Sequence, residues 1–114
     1  MWLFTSKGML SVVAHRDIPD SLMIRARSSH HIAELFPNTE IINTPDADYA
    51  FRAIIDRNSF ALFMDNYIQN IGYDNFKNSI SEQNYRSHCG QVWSVMYKYG
   101  SMFAHSRNLV ERGD

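Results

Sequence analysis

At Asp56 the hydrophobic pattern of this 114-residue chain changes period. Before it, apolar and polar residues alternate; after it, apolar residues recur every three or four positions. Successive side chains point to opposite faces of a strand but advance by about 100° around a helix, so the two rhythms predict a sheet followed by helices. Either element, apolar on one face, has to bury that face against another layer. The expected class is therefore α+β. It is an antiparallel sheet of about five strands with helices on one face, ferredoxin-like or a related two-layer sandwich, and a long C-terminal helix.

The strand half can be read in pieces. Residues 2–5 and 9–16 flank Ser6-Lys7-Gly8, a tight turn that predicts a β-hairpin. Asp17-Ile18-Pro19-Asp20 is a second turn, where proline withholds a ladder donor. Over residues 22–27, Leu22, Ile24 and Ala26 fall on one side and Met23, Arg25 and Arg27 on the other. Ser28 or Ser29 can cap a short helix carrying Ile32, Leu35 and Phe36, which Pro37 ends. Residues 40–43 form a short strand, and Thr44-Pro45-Asp46-Ala47-Asp48 a polar loop. Residues 49–55 form the last strand, with Tyr49, Phe51, Ala53 and Ile55 on one side and Ala50, Arg52 and Ile54 on the other.

Phe60, Phe63, Met64, Tyr67, Ile68 and Ile71 then trace an amphipathic helix, with Asn58 as N-cap and Gly72 just beyond its C-terminus. Asp74 can cap a short helix bearing Phe76 and Ile80. Ser79 and Glu82 have capping-box spacing ahead of the long helix. That helix carries a stripe of Tyr85, Cys89, Val92, Trp93, Met96, Tyr99 and Phe103, with Ser87, Gln91, Ser94, Lys98 and Ser101 opposite, and Gly100 ends or frays it. Residues 1–105 are expected to form one domain and 106–114 a polar tail.

Composition removes several classes of function. A net charge of −1 supplies no global attraction to nucleic acid or to an anionic membrane, so either would need a local patch. Cys89 is the only cysteine, so the fold does not rest on an intrachain disulfide. The opening residues lack the basic start and apolar stretch of a signal peptide, and no run reaches the roughly 18 apolar residues of a membrane span. The expected location is cytoplasmic, with no membrane partner.

Met1-Trp2-Leu3-Phe4-Thr5 through Gly8, Ser11-Val12-Val13-Ala14-His15-Arg16-Asp17 and Pro19-Asp20 form one recognisable group of segments. Arg25-Ala26-Arg27, Thr44-Pro45-Asp46-Ala47-Asp48-Tyr49, Tyr73-Asp74-Asn75-Phe76-Lys77 and Val92-Trp93 extend it. Together, over residues 1 to about 97, the chain resembles a family of short bacterial and bacteriophage proteins with no assigned activity. The resemblance implies a bacterial or phage setting and carries over no functional residues.

Candidate chemistry is sparse. His15-Arg16-Asp17 matches the catalytic-loop triplet of protein kinases, but Leu22 stands where the asparagine is needed and there is no glycine-rich phosphate loop. A strand end entering a turn explains it better. Asp46-Ala47-Asp48 offers two carboxylates for Mg²⁺ but no P-loop, so a turn that solvates the next strand is the simpler account. His30-His31, His88-Cys89 and His105 lack the repeated paired spacing of zinc ligands. No metal and no cofactor are expected.

Two surfaces stand out. Arg25, Arg27 and Arg52 each lie opposite a mainly apolar row, so one sheet face can gather them with Lys7 and His15 in solvent. An open sheet with arginines and aromatics can hold single-stranded nucleic acid, whereas a bland solvated face would show cross-strand Arg–Asp pairs. Trp2, Phe4, Tyr73, Tyr85, Tyr97 and Tyr99 exceed the needs of a small core, and Tyr97 and Tyr99, two apart on a helix, cannot share one narrow stripe. The favoured expectation is a non-enzymatic accessory protein that binds another protein, such as a host defence factor, or pairs as a homodimer. A nucleic-acid-binding module using the arginine face is the second. A small enzyme bringing His15 or His88 near a carboxylate or Cys89 is the third.

Overall fold

The computed structural model describes residues 1–104. Their contacts gather into two compact units, one from Met1 to Ser79 and a second from Ile80 onward. The proposed tail at 106–114, and His105, lie outside the described residues.

The first unit is the expected two-layer α+β arrangement. Its strands are β1 (Trp2–Thr5), β2 (Gly8–Ala14), β3 (Ser21–Ala26), β4 (Ile42–Asn43) and β5 (Phe51–Asp56). They form one antiparallel sheet in the order β1-β2-β3-β5-β4. The helices are α1 (Ser29–Ala33) and α2 (Arg57–Gln69). Register follows from the alternation. Val12 on β2 stands beside Ile24 on β3, while Leu22 and Ile24 face Ile55 and Ala53 on β5. These side chains, with Ile32 of α1 and Phe60 of α2, make the buried core. Phe36, Phe60 and Phe63 close ring-to-ring above it, Phe36 and Phe63 at 4.4 Å. Each fully buried aliphatic side chain there contributes about 1.5–3 kcal/mol of transfer free energy.

Several boundaries differ from those expected. α2 starts two residues earlier than an Asn58 cap requires, because β5 runs into it with no intervening loop. Asp56 is both the last strand residue, paired with Ser21, and the N-cap, its carboxylate accepting from the Ser59 amide at 3.0 Å. The helix ends at Gln69 with Asn70 as C-cap, short of Gly72. Ser28 is the N-cap of α1 by its extended backbone, without a side-chain cap bond. In place of a short helix capped by Asp74, a single 3-10 turn at Lys77–Ser79 is held by the Asn78 amide donating to Asn75 Oδ1.

The second unit is dominated by α3 (Gln83–Ser101). Glu82 is itself the N-cap, accepting from the amides of Asn84 and Tyr85, so it is not the far member of a capping box begun at Ser79. Gly100 lies within the helix rather than ending it. Among the described residues no helix is long and apolar enough to cross a membrane.

Candidate functional site

Because α1 and α2 cover the Leu10, Ile24 and Ala53 side of the sheet, the other side carries the residues of opposite parity. One cross-strand row runs through all five strands there: Trp2, Ser11, Arg25, Arg52, Ile42. Arg25 and Arg52 are direct register partners on neighbouring strands. Arg27 follows two residues after Arg25, just past the end of β3, and is exposed.

Tyr49 organises this group. It precedes β5 instead of opening it, so the alternation expected from residue 49 onward starts only at Phe51. Freed from that parity, the buried Tyr49 ring lies beneath two guanidinium groups, with Arg27 Cζ 4.2 Å and Arg25 Cζ 4.7 Å from its centroid. Its carbonyl accepts from Arg52 Nε at 3.4 Å. A cation over an aromatic face gains about 0.5–2 kcal/mol, which sets the two side chains without neutralising them. Arg25 also donates from Nη2 to Ser11 Oγ at 2.7 Å, and Ser11 is buried.

The electrostatics of the row are unfavourable as it stands. Guanidinium groups stay charged at any ordinary pH, and like charges directly opposite on adjacent strands destabilise by up to about 1 kcal/mol. Among the described residues no carboxylate pairs with Arg25, Arg27 or Arg52; their partners are Ser11 and Tyr49. The Arg–Asp pairs of a bland solvated face are therefore absent from this cluster. Arg25 Nε is buried and has no acceptor, a deficit that costs about 1–3 kcal/mol for a neutral group and more for a charged one.

The remaining sequence candidates go elsewhere. His15 stands just past the end of β2, four residues after Ser11 and about 13 Å away at strand spacing, and does not join the arginines. Its Nδ1 accepts from the amides of Asp17 (3.0 Å) and Ile18 (3.1 Å), bracing the turn in which Asp20 takes a positive φ of 56°. The triplet His15-Arg16-Asp17 is thus a turn device. Asp48 accepts from the Tyr49 amide at 2.8 Å, a local loop contact. His31 Nδ1 accepts from the Met9 amide at 3.1 Å, and His88 Nδ1 contacts the Asn84 carbonyl one helical turn back.

On α3, Cys89 is buried, and burial raises its thiol pKa, opposed in part by a hydrogen bond with Tyr85. From Val92 onward the apolar stripe stays in solvent: Trp93 and Tyr99 are 55% exposed and Tyr97 63%. Both tyrosines singled out from the sequence face outward. The rings form two pairs, Trp93 stacked on Tyr97 at 5.3 Å and Tyr99 edge-on to Phe103 at 5.2 Å. Along the stripe Tyr85, Cys89, Val92, Met96, Tyr99 and Phe103 alternate by four and three residues, the spacing of a helix-to-helix seam.

Sequence reasoning missed Ser11 and the true role of Tyr49. A serine between Leu10 and Val12, opposite in parity to both, was the one available sign that β2 meets a polar group on its outer side. Nothing local marks Tyr49, because its position depends on where β5 begins. Compared with known protein families, curated proteins and solved structures, the chain finds no match.

Proposed function

We propose that this chain is a non-enzymatic accessory protein that acts by binding another protein through the aromatic stripe of α3. The observation that carries the reading is the exposure of Val92, Trp93, Met96, Tyr99 and Phe103, the apolar side of an amphipathic helix that ordinarily lies against a partner layer. Val95, Tyr97 and Met102, on its flanks, are exposed as well, so apolar and aromatic side chains extend beyond the stripe, as at protein interfaces. Tyrosine and tryptophan are enriched at such surfaces because a large rigid ring is buried at little entropic cost. The stretch from Gln83 to Ser101 carries only two charges, Arg86 and Lys98, so little has to be desolvated. A partner in a bacterial or phage cell is the setting that the family resemblance suggests.

A photo-crosslinking amino acid placed at Val92 should trap a discrete protein partner in bacterial cells, whereas the same group at Ser94 on the polar side should not. The double change Tyr99→Glu and Met96→Glu should abolish the adduct while circular dichroism still reports folded protein. Equal labelling from both sides of α3, or an adduct that survives the double change, would refute the reading.

A further inference from the structure

Away from α3, the arginine row of the sheet carries no neutralising carboxylate among the described residues. We propose that Arg25, Arg27 and Arg52 form a phosphate-binding site for single-stranded nucleic acid, with Trp2 as the base-stacking platform at one end of the same row.

Three observations lead to an oxyanion. Arg25 and Arg52 face each other across neighbouring strands, and none of the three arginines has a carboxylate partner among the described residues. Fixed, adjacent, unpaired guanidinium groups are complementary to an anion that can accept from more than one fork at once. A carboxylate presents its lone pairs in one plane, so two forks can share it only within that plane. A phosphodiester projects two non-bridging oxygens from a tetrahedral centre and can lie between two. Tyr49 fixes the heads of Arg25 and Arg27 in advance, with their guanidinium carbons 4.7 and 4.2 Å from its ring centroid, which lowers the ordering cost of binding.

The rest of the row selects single strands. Trp2 is 70% exposed and lies in register with Ser11, which separates it from Arg25 by two strand spacings. At about 4.8 Å per strand the ring stands about 10 Å across the sheet from Arg25, a reach suited to stacking an unpaired base while the phosphates engage the arginines. A sheet face with one projecting indole has no helix or ribbon to enter a duplex groove.

The test is fluorescence anisotropy with labelled mixed-sequence DNA and RNA single strands and the corresponding duplex, at low and rising salt. Binding of either single strand in preference to the duplex is expected. Three neutralised phosphates give a slope of log K against log salt near −2, since each contributes about −0.7 on a single strand. Arg27→Gln and Arg52→Gln, each checked for folding by circular dichroism, should each flatten that slope by about 0.7. In a Trp93→Phe background the remaining Trp2 emission should be quenched on binding. No binding at low salt, wild-type affinity and slope in the Arg27→Gln/Arg52→Gln double variant, unquenched Trp2, or equal displacement by polyglutamate would each overturn the assignment. The last result would identify an acidic protein segment as the ligand instead.

Discussion

Replacing Gly8 by alanine puts a methyl group where the structure holds the His31 ring. Gly8 closes the β1–β2 hairpin opposite Thr5 with φ at +158°, and a Cβ placed there overlaps His31 Cγ and lies 2.5 Å from Cδ2 and 2.7 Å from Cβ of the same residue. Two of those atoms are at the root of the side chain, so no rotation of the ring relieves the overlap; α1 has to retreat from the sheet. Overpacking of this kind costs about 1–3 kcal/mol. The ring also accepts from the Met9 amide at 3.1 Å, and losing that bond adds about 1 kcal/mol. Gly8→Ala is therefore expected to destabilise by about 2–4 kcal/mol, a large part of the 5–15 kcal/mol typical of a folded domain. At about 2 kcal/mol per molar urea, the midpoint should fall by about 1–2 M.

The cause can be isolated with a cycle. His31→Gly removes all three clashing atoms and the acceptor, so Gly8→Ala in that background should keep only the backbone cost of its positive φ. Urea unfolding followed by circular dichroism on all four proteins should give a coupling energy of about 1–3 kcal/mol between the two sites. Additivity within about 0.5 kcal/mol would show that the glycine is needed for its backbone alone, and that the close approach of α1 to the hairpin has no energetic consequence.

Two further outcomes follow from single contacts. Asp56→Ala should cost about 1 kcal/mol by removing the cap on the Ser59 amide, while Asn58→Ala should cost a few tenths at most; thermal melts that reverse this order would contradict the observed start of α2. Because burial raises the Cys89 pKa, the thiolate fraction in the folded chain is below that of a free cysteine. Its alkylation should be slower than in urea and should accelerate at a higher pH than the unfolded chain does. The neutral thiol is the form the fold accommodates, so this group contributes nothing at neutral pH and loses stability as pH rises through the ordinary thiol range. Equal rates with and without urea would contradict that burial.

Much of this architecture was legible from local pattern. The hairpin over residues 2–14, the alternation of Leu22, Ile24 and Ala26, and the helical rhythm from Phe60 to Tyr67 are properties of short windows, and neighbouring residues report them without knowledge of the rest. Helix caps were less legible. Asp56 and Asn58 are equally good cap chemistries two residues apart, and the choice between them was made by β5 pairing with β3 as far as Asp56. The grouping of Arg25 with Arg27 could be read along one strand, but the juxtaposition of Arg25 with Arg52 needed the register between strands 27 residues apart. Placing Tyr49 under them needed the point at which β5 starts.

By itself, then, the order of residues decided which segments become strands or helices and which side of each is apolar, because those preferences arise from steric and solvation effects within a few positions. Tertiary structure alone decided what each side faces. A stripe such as Val92 to Phe103 is written the same way whether it lies in a core or in solvent, since the difference depends on whether the remaining chain supplies complementary surface. Three arginines acquire a common field only when cross-strand pairing brings them within one sheet face.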